Sequence, residues 1–334
     1  MTTNNDTLSC SGRLVALLSG GYLVSMVIYL ILRLIFGDNF WWLALLNAFA
    51  IYTFFPLIVL IPLAFLSGLW RDFIRLGVMG LLAVIWFGPF FQPVSAPNDV
   101  SGTPLDIVTV NMQANANDDP QAIVDWLQTV NADIVFMQET PAMYAEGLDV
   151  LASTLPEQVS QGNGRLVLSR YPLVVDGERV VMTVAGQDVA LYNVHLPWPF
   201  RTEDGRFNVN VDNISYISLA LNYDERERNR QLEDLLVQVA AEPLPFIVAG
   251  DFNMSQHSLV YSDVTLIMDD AYRKASGGLG NTWPAHLPLL RLDYVWYGTD
   301  LRALASSVGP QLSSDHRPLL ATLSLDILVE EISD

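Results

Sequence analysis

Several segments of this chain place carboxylate, amide or imidazole side chains where an apolar strand has no use for them. Asn111 lies at the end of LDIVTVNM (105–112), Glu139 closes ADIVFMQE (132–139), and His195 lies late in VALYNVHLP (189–197). Asp251 and Asn253 end PFIVAGDFN (245–253), Asp293 interrupts RLDYVW (291–296), and Asp315 and His316 sit in SDHRP (314–318). Asp251 and Asn253 are two apart, so an extended backbone turns both to one face. A carboxylate inside an apolar run, as at Asp293, must be paired, because an isolated buried charge is strongly disfavoured. A rim that collects Glu, Asp, Asn and two His is by composition a place for a metal ion and a phosphate.

Taken singly, each has an ordinary reading. Gly-Asp-Phe-Asn (250–253) is also a turn sequence. Ser-Asp-His (314–316) is also a helix cap or a loop, Glu139 a strand end reaching solvent, and His195 a core histidine with satisfied nitrogens. The joint occurrence makes these readings a poor account of the whole set. His257 and His286 have no comparable setting and read as structural.

The elements that must position these residues are short apolar runs rich in Val, Ile, Leu and Tyr. Beyond those named, 164–172 and 318–325 also read as strands. Helical patterns occupy 120–130 and 225–241, and no internal repeat is present. Buried strands with separate helices indicate an α/β layered domain. Opposite ends of antiparallel neighbours share one edge of a sheet, so the polar groups can line one rim. The run ERERNR (225–230) reads as intrahelical salt bridges on a solvated face.

The first third is chemically different. Residues 1–99 carry four basic and four acidic side chains, so the net charge of −19 lies in residues 100–334. Uncharged stretches cover 14–32, 39–70 and 76–98. A membrane-crossing helix needs about 20 apolar residues. Three transmembrane helices are therefore expected, near 14–32, 43–66 and 74–91, with Trp41 and Trp42 at the headgroup level and kinks at Pro56 and Pro62. Residues 1–91 form the membrane domain, 92–104, with Pro93, Pro97 and Pro104, a linker, 105–326 the globular domain, and 327–334 a tail. Arg13, Arg71 and Arg75 fall on one side of the spans and Arg33 on the other, which places the acidic domain outside the cytoplasm. With two spans it would lie inside. A lone cysteine, Cys10, excludes a disulfide scaffold.

TVNMQ (109–113), MQE (137–139), NVHL (193–196), GDFN (250–253), LDYVW (292–296) and SDHRP (314–318), in that order, resemble the endonuclease/exonuclease/phosphatase superfamily. The resemblance runs from about residue 105 to 325. It implies a four-layer α/β/β/α sandwich with a site at one edge of two packed sheets. It also implies a metal-dependent phosphoester hydrolase with Glu139 as principal metal ligand, Asn111 beside it and Asp315 contributing. Such hard oxygen donors suit Mg²⁺ or Mn²⁺. Asp251 would orient or deprotonate the attacking water, and Asn253 would hydrogen-bond developing phosphoryl oxygens. His195 and His316 would stabilise phosphoryl charge or protonate the leaving group, with Asp293 fixing the tautomer of His316. The tyrosine and arginine that nuclease members place between the Glu and first His motifs have no clear counterpart, since Arg170 and Tyr171 read as strand-end packing. Residues 199–223 form a polar loop expected to overhang the site.

The expected partners are the lipid bilayer and a phosphoester, small or lipid-linked. The arrangement of spans and domain also resembles bacterial membrane proteins linked to teicoplanin resistance, which are thought to act on cell-envelope lipid intermediates. An extracytoplasmic nuclease is the second reading, opposed by the charge of −19, and duplex nucleic acid is disfavoured as a partner. A non-catalytic membrane protein retaining the fold is the third.

Overall fold

The computed structural model describes residues 9–94, 102–144, 147–199 and 223–325. Most of the expected overhanging loop, part of the linker and the C-terminal tail lie outside them. The chain separates into two compact units, the larger of which begins at Gln92.

In the first unit, helices α1 (Cys10–Phe36) and α4 (Trp70–Phe87, continued by a 3₁₀ turn to Phe91) are each long and apolar enough to cross a membrane. Over the expected span 43–66 lie two pieces, α2 (Trp41–Ala48) and the stretch Ala50–Leu66, bent by 79°, which make a third candidate span if the pair is one broken span. The break is not at Pro62, which α3 (Pro56–Leu66) accommodates. It falls at Phe49, where residues Ala50–Phe54 tighten into a 3₁₀ turn and the Thr53 hydroxyl donates to the Ala50 carbonyl at 2.7 Å. The buried Asn47 amide is satisfied by the Gly37 carbonyl, Asp38 and the Tyr29 hydroxyl, as a polar group in an apolar bundle must be.

The second unit is built on two six-stranded sheets. One has the order β11 (Leu301–Val308), β12 (Leu319–Leu325), β1 (Thr103–Asn111), β2 (Ile134–Gln138), β4 (Arg165–Ser169), β3 (Glu157–Gly162). The other has the order β5 (Leu173–Asp176), β6 (Arg179–Val184), β7 (Gln187–His195), β8 (Phe246–Asp251), β10 (Asp293–Tyr297), β9 (Asp269–Asp270). Each is antiparallel except for one central parallel pair, β1 with β2 and β7 with β8.

Side-chain alternation sorts the strands into layers. Ile107, Ile134, Phe136, Leu191, Ile247 and Val295 belong to the core between the sheets. Their neighbours one residue away, such as Val108, Val135, Val248 and Trp296, face outward. Helix α5 (Pro120–Thr129) covers the first sheet with Ile123, Val124 and Leu127. It starts where Pro120 presets the first turn and Asp119 caps the Ala122 N–H. Helix α6 (Arg226–Ala240) covers the second sheet with Leu232, Leu236 and Val239. Burying each such side chain contributes roughly 1.5–3 kcal/mol. The layers run helix, sheet, sheet, helix, which is the α/β sandwich expected from the sequence.

Candidate active site

Following the inward-facing positions along the strands, the space between the sheets changes character. It is apolar at one end and becomes neutral-polar at Thr109, Gln138 and Asn193. The Gln138 side chain donates to Asn193 Oδ1 (2.8 Å) and to the Thr109 hydroxyl (3.2 Å). Asn193 in turn donates to the carbonyls of Met137 (3.0 Å) and Leu166 (3.1 Å). This fully satisfied network joins the two sheets and orients everything above it. The next inward positions are Asn111, His195, Asp251 and Asp293, at the rim.

Strand register sets the row. Asp251 is opposite His195 on one side and Asp293 on the other. Glu139 follows the inward-facing Gln138, so simple alternation would send it outward. Its positive φ of 47° re-aims the chain instead, and its carboxylate reaches the rim. Gln113, Ala114 and Asn253 also have positive φ. Backbone strain of this kind costs on the order of 1–3 kcal/mol per residue and gathers at functional sites. Gly250 has φ 147°, and a Cβ there would lie 1.9 Å from the Val194 carbonyl oxygen. The motif glycine is thus fixed by the close approach of β8 to β7.

Asn111 Nδ2 donates to both Glu139 Oε1 and Asp251 Oδ2, each at 3.0 Å. Its oxygen accepts the Gln113 N–H at 2.8 Å. Asn111 therefore presents its nitrogen, not its oxygen, to the carboxylates and clamps them together. His195 Nε2 lies 3.4 Å from Glu139 Oε1 and 3.9 Å from Asp251 Oδ2. His316 Nδ1 lies 2.9 Å from Asp293 Oδ2, and its Nε2 lies 3.7 Å from Asp251 Oδ2. Asn253 donates its backbone N–H to Asp251 Oδ1 (2.8 Å) and its side-chain amide to the Leu196 carbonyl (2.9 Å) and Asp251 Oδ2 (3.3 Å). Asn253 Oδ1 is then a buried acceptor with no hydrogen-bond partner among the described residues.

The Ser-Asp-His turn is tied to β1. The Ser314 hydroxyl donates to the Asn111 carbonyl at 2.7 Å, and the Asp315 N–H donates to Gln113 Oε1 at 3.0 Å. Asp315 stands apart from these close groups. Its carboxylate accepts the Trp283 indole N–H at 3.1 Å and belongs to neither cluster of close donors, Glu139–His195–Asp251 or Asp251–Asp293–His316. His257 and His286 are in neither cluster.

Burial sets the proton affinities. Desolvation pushes the Asp251 carboxyl up to about 7; Asp293 and Glu139 add to this, while His316 and the Asn253 N–H oppose it. His316 is buried, which disfavours its charge, but the Asp293 and Asp251 carboxylates outweigh that and raise it to about 10. His195 is held below the ordinary imidazole range by desolvation, partly countered by Glu139. Near neutral pH the site thus pairs a charged imidazole, His316, with a neutral one, His195, around a carboxylate poised to exchange a proton.

The donor set fits a hard divalent cation. Glu139 and Asp251 are held together by a neutral amide, and their ion-pair partners among the described residues are imidazoles. Glu139, with 35% of its side chain exposed against 1% for Asp251, is the member open to solvent.

Sequence reasoning missed the Thr109–Gln138–Asn193 network, although a polar residue inside IVFMQ and another inside LYNVH were signals for it. It also missed Arg228, which was read with its neighbours as solvated. Glu227, Arg230 and Asp234 do pair on an exposed face. Arg228, however, is buried, pairs with Glu225 at 3.0 Å and donates to the Asn253 carbonyl at 2.8 Å. Its spacing from Leu232, Leu236 and Val239 places it on the buried stripe of α6. Arg170 packs at a strand end, with Nη1 2.8 Å from Asp133.

The chain is 28% identical over 232 residues to the uncharacterized protein YbhP of Escherichia coli strain K12, covering 60% of this chain and 87% of that one. Its fold is similar to truncated TDP2 of Caenorhabditis elegans, with TM-score 0.51 and 17% identity over 68% of this chain and all (100%) of that one. A second TDP2 structure from C. elegans matches with TM-score 0.50 and 16% identity, over 68% of this chain and 77% of that one. A match to the endonuclease/exonuclease/phosphatase family spans residues 108–316, from the strand that carries Asn111 to His316 itself. With well over half of its length matched, the chain belongs to the endonuclease/exonuclease/phosphatase family of phosphoester hydrolases and nucleases.

Proposed function

We propose that this chain is a membrane-anchored, divalent-metal-dependent phosphoesterase that hydrolyses a small or lipid-linked phosphoester by in-line attack of water. The observation that carries the reading is the convergence of Glu139, His195, Asp251, Asp293 and His316 at one rim, within 4 Å of one another along the chain of contacts.

Glu139 would hold the cation, with Asn111 keeping its carboxylate in place beside Asp251. The cation, Mg²⁺ or Mn²⁺, would supply charge against the phosphoryl oxygens. Asp251, raised to about 7, suits removal of a proton from the attacking water near neutral pH. Asn253 Oδ1, an acceptor without a partner among the described residues, suits a hydrogen bond from that same water. His316 is held protonated by Asp293 and donates toward charge building on the phosphoryl group or the leaving oxygen. His195, neutral and a quarter exposed, stands beside the solvent-open side of the site.

The apolar helices α1 and α4 and the bent pair between them support a membrane anchor of three spans. The bias of Arg13, Arg71 and Arg75 over Arg33 favours an extracytoplasmic catalytic domain. The charge of −19 argues for a small or lipid-linked substrate over a nucleic acid.

A hydrolysis panel on purified full-length protein tests the reading: bis-p-nitrophenyl phosphate, a lipid phosphodiester, a polyprenyl pyrophosphate, and single- and double-stranded DNA, each with and without Mg²⁺. Mg²⁺-dependent cleavage of a small or lipid substrate is expected. Cleavage of DNA alone would reverse the substrate assignment. Protease added to spheroplasts should digest the domain, and complete protection would reverse the orientation.

A further inference from the structure

β7 outruns the strand beside it. Its pairing with β6 ends at Val180 opposite Leu191, whereas its pairing with β8 continues to His195 opposite Asp251. Residues 192–195 therefore run past the end of β6. Arg165 covers part of this overhang by donating from Nη1 to the Asn193 carbonyl at 3.2 Å. Beside it opens a groove of about 580 Å³, with Arg165 and His195 at one end and a face of α6 along its side. That size is ordinary for a small-molecule site.

The helix face is a distinct one. Gln231, Asp234, Leu235 and Gln238 line the groove, and their spacing of three, four and seven residues puts them on one stripe. The buried stripe of the same helix carries Arg228, Leu232, Leu236 and Val239. Gln231 gives its side-chain N–H to Glu227 at 2.8 Å, and Gln238 gives its own to Glu178 at 3.1 Å. Among the described residues both amides thus have an oxygen left over, and the exposed Asp234 carboxylate, one oxygen of which pairs with Arg230 at 3.3 Å, is acceptor-only. The groove has guanidinium donors at the His195 end and acceptors along the helix.

We infer that this groove seats a polyhydroxylated alcohol esterified to the phosphate, with Arg165 as a specificity-determining residue at its mouth. The inference rests on the phosphoesterase reading. Hydroxyl groups donate to the Gln231, Asp234 and Gln238 oxygens, and the phosphate they flank meets Arg165 beside His195. Val194, Leu196, Leu235 and Val237 also line the groove and would meet the carbon skeleton of such an alcohol, whereas a plain alkyl chain would desolvate the acceptors without replacing their hydrogen bonds. A quaternary ammonium group would meet the Arg165 charge.

The test uses full-length protein in detergent with Mn²⁺ and three p-nitrophenyl phosphodiesters that differ only in the second alcohol: glycerol, choline and n-hexanol. Wild-type kcat/KM should favour the glycerol ester by at least about tenfold, in line with discrimination by hydrogen-bonded hydroxyls. In Leu235→Trp, which fills the groove from an outer helix face, and in Arg165→Met, that ratio should collapse toward one. A ratio compares two substrates on one preparation, so partial unfolding does not move it. A wild-type ratio near or below one, or a ratio unchanged in both variants, overturns the inference. If the wild type cleaves none of the three, the phosphoesterase reading is what has failed, and calorimetric binding of glycerol 3-phosphate decides the groove. Binding lost in Leu235→Trp supports it; no binding, or equal binding by that variant, overturns it.

Discussion

Asp251 and Asp293 are direct neighbours in the antiparallel register of β8 and β10, and the His316 imidazole reaches both carboxylates. This is why His316 is raised to about 10 despite burial, and Asp293 also contributes to raising Asp251 to about 7. A base that must be deprotonated gives a rate that rises with pH, and an acid that must be protonated gives one that falls. kcat/KM should therefore rise through about 7 and fall near about 10. Asp293→Asn removes the anion that holds the His316 proton, so the alkaline limb should move to lower pH. A pH–rate profile of the variant with an unmoved alkaline limb would separate His316 from the proton donor.

Glu139 is the solvent-open carboxylate of the pair clamped by Asn111. A cation bound only by the folded state stabilises it, by about 2.7 kcal/mol at one hundred times Kd. Mg²⁺ or Mn²⁺ should raise the melting temperature of the wild type, and EDTA should reverse the shift. In Glu139→Gln the shift should be strongly reduced. An equal shift in both proteins would place the ion elsewhere.

Arg228 couples α6 to the strained loop at the site. Its guanidinium donates to the Asn253 carbonyl and pairs with the buried Glu225. Breaking a buried pair by removing one partner costs about 3–5 kcal/mol. Arg228→Met should lower the denaturation midpoint accordingly and should reduce kcat more than it raises KM. A stability and turnover equal to wild type would return Arg228 to the solvated face on which its sequence context put it.

Gly250 has no room for a side chain, since its Cβ position lies 1.9 Å from the Val194 carbonyl oxygen. Gly250→Ala should destabilise the full-length protein by at least about 3 kcal/mol through strain and displacement of β8 from β7. Urea titration followed by near-ultraviolet circular dichroism would read this. A loss below about 1 kcal/mol would mean that the two strands separate at little cost.

What was legible in the sequence follows from burial. Strands β1, β2, β4, β7, β8, β10 and β12 are dominated by buried side chains and announce themselves as apolar runs. β3, with EQVSQG, and β11, with LRALASSV, are partly exposed, and their mixed composition hides them. The candidate site residues could be named because a carboxylate or imidazole at the end of such a run is conspicuous. Their orientations could not. Asp315 faces Trp283 because the Ser314 turn meets a distant segment there, and Asn111 offers its nitrogen to the carboxylates because a local turn brings the Gln113 N–H onto its oxygen. The break at Phe49, rather than at either proline, likewise depends on a 3₁₀ turn that periodicity does not reveal.

Asp251, buried between two histidines and two carboxylates, is the group proposed to activate water for attack on phosphorus. The most direct measurement is steady-state hydrolysis of bis-p-nitrophenyl phosphate by full-length wild type and Asp251→Asn, with Mn²⁺ and with EDTA. Turnover should need the metal and should fall by about 10²–10⁴ in the variant while its melting temperature is retained. Wild-type turnover in folded Asp251→Asn, or hydrolysis indifferent to EDTA, would contradict the account.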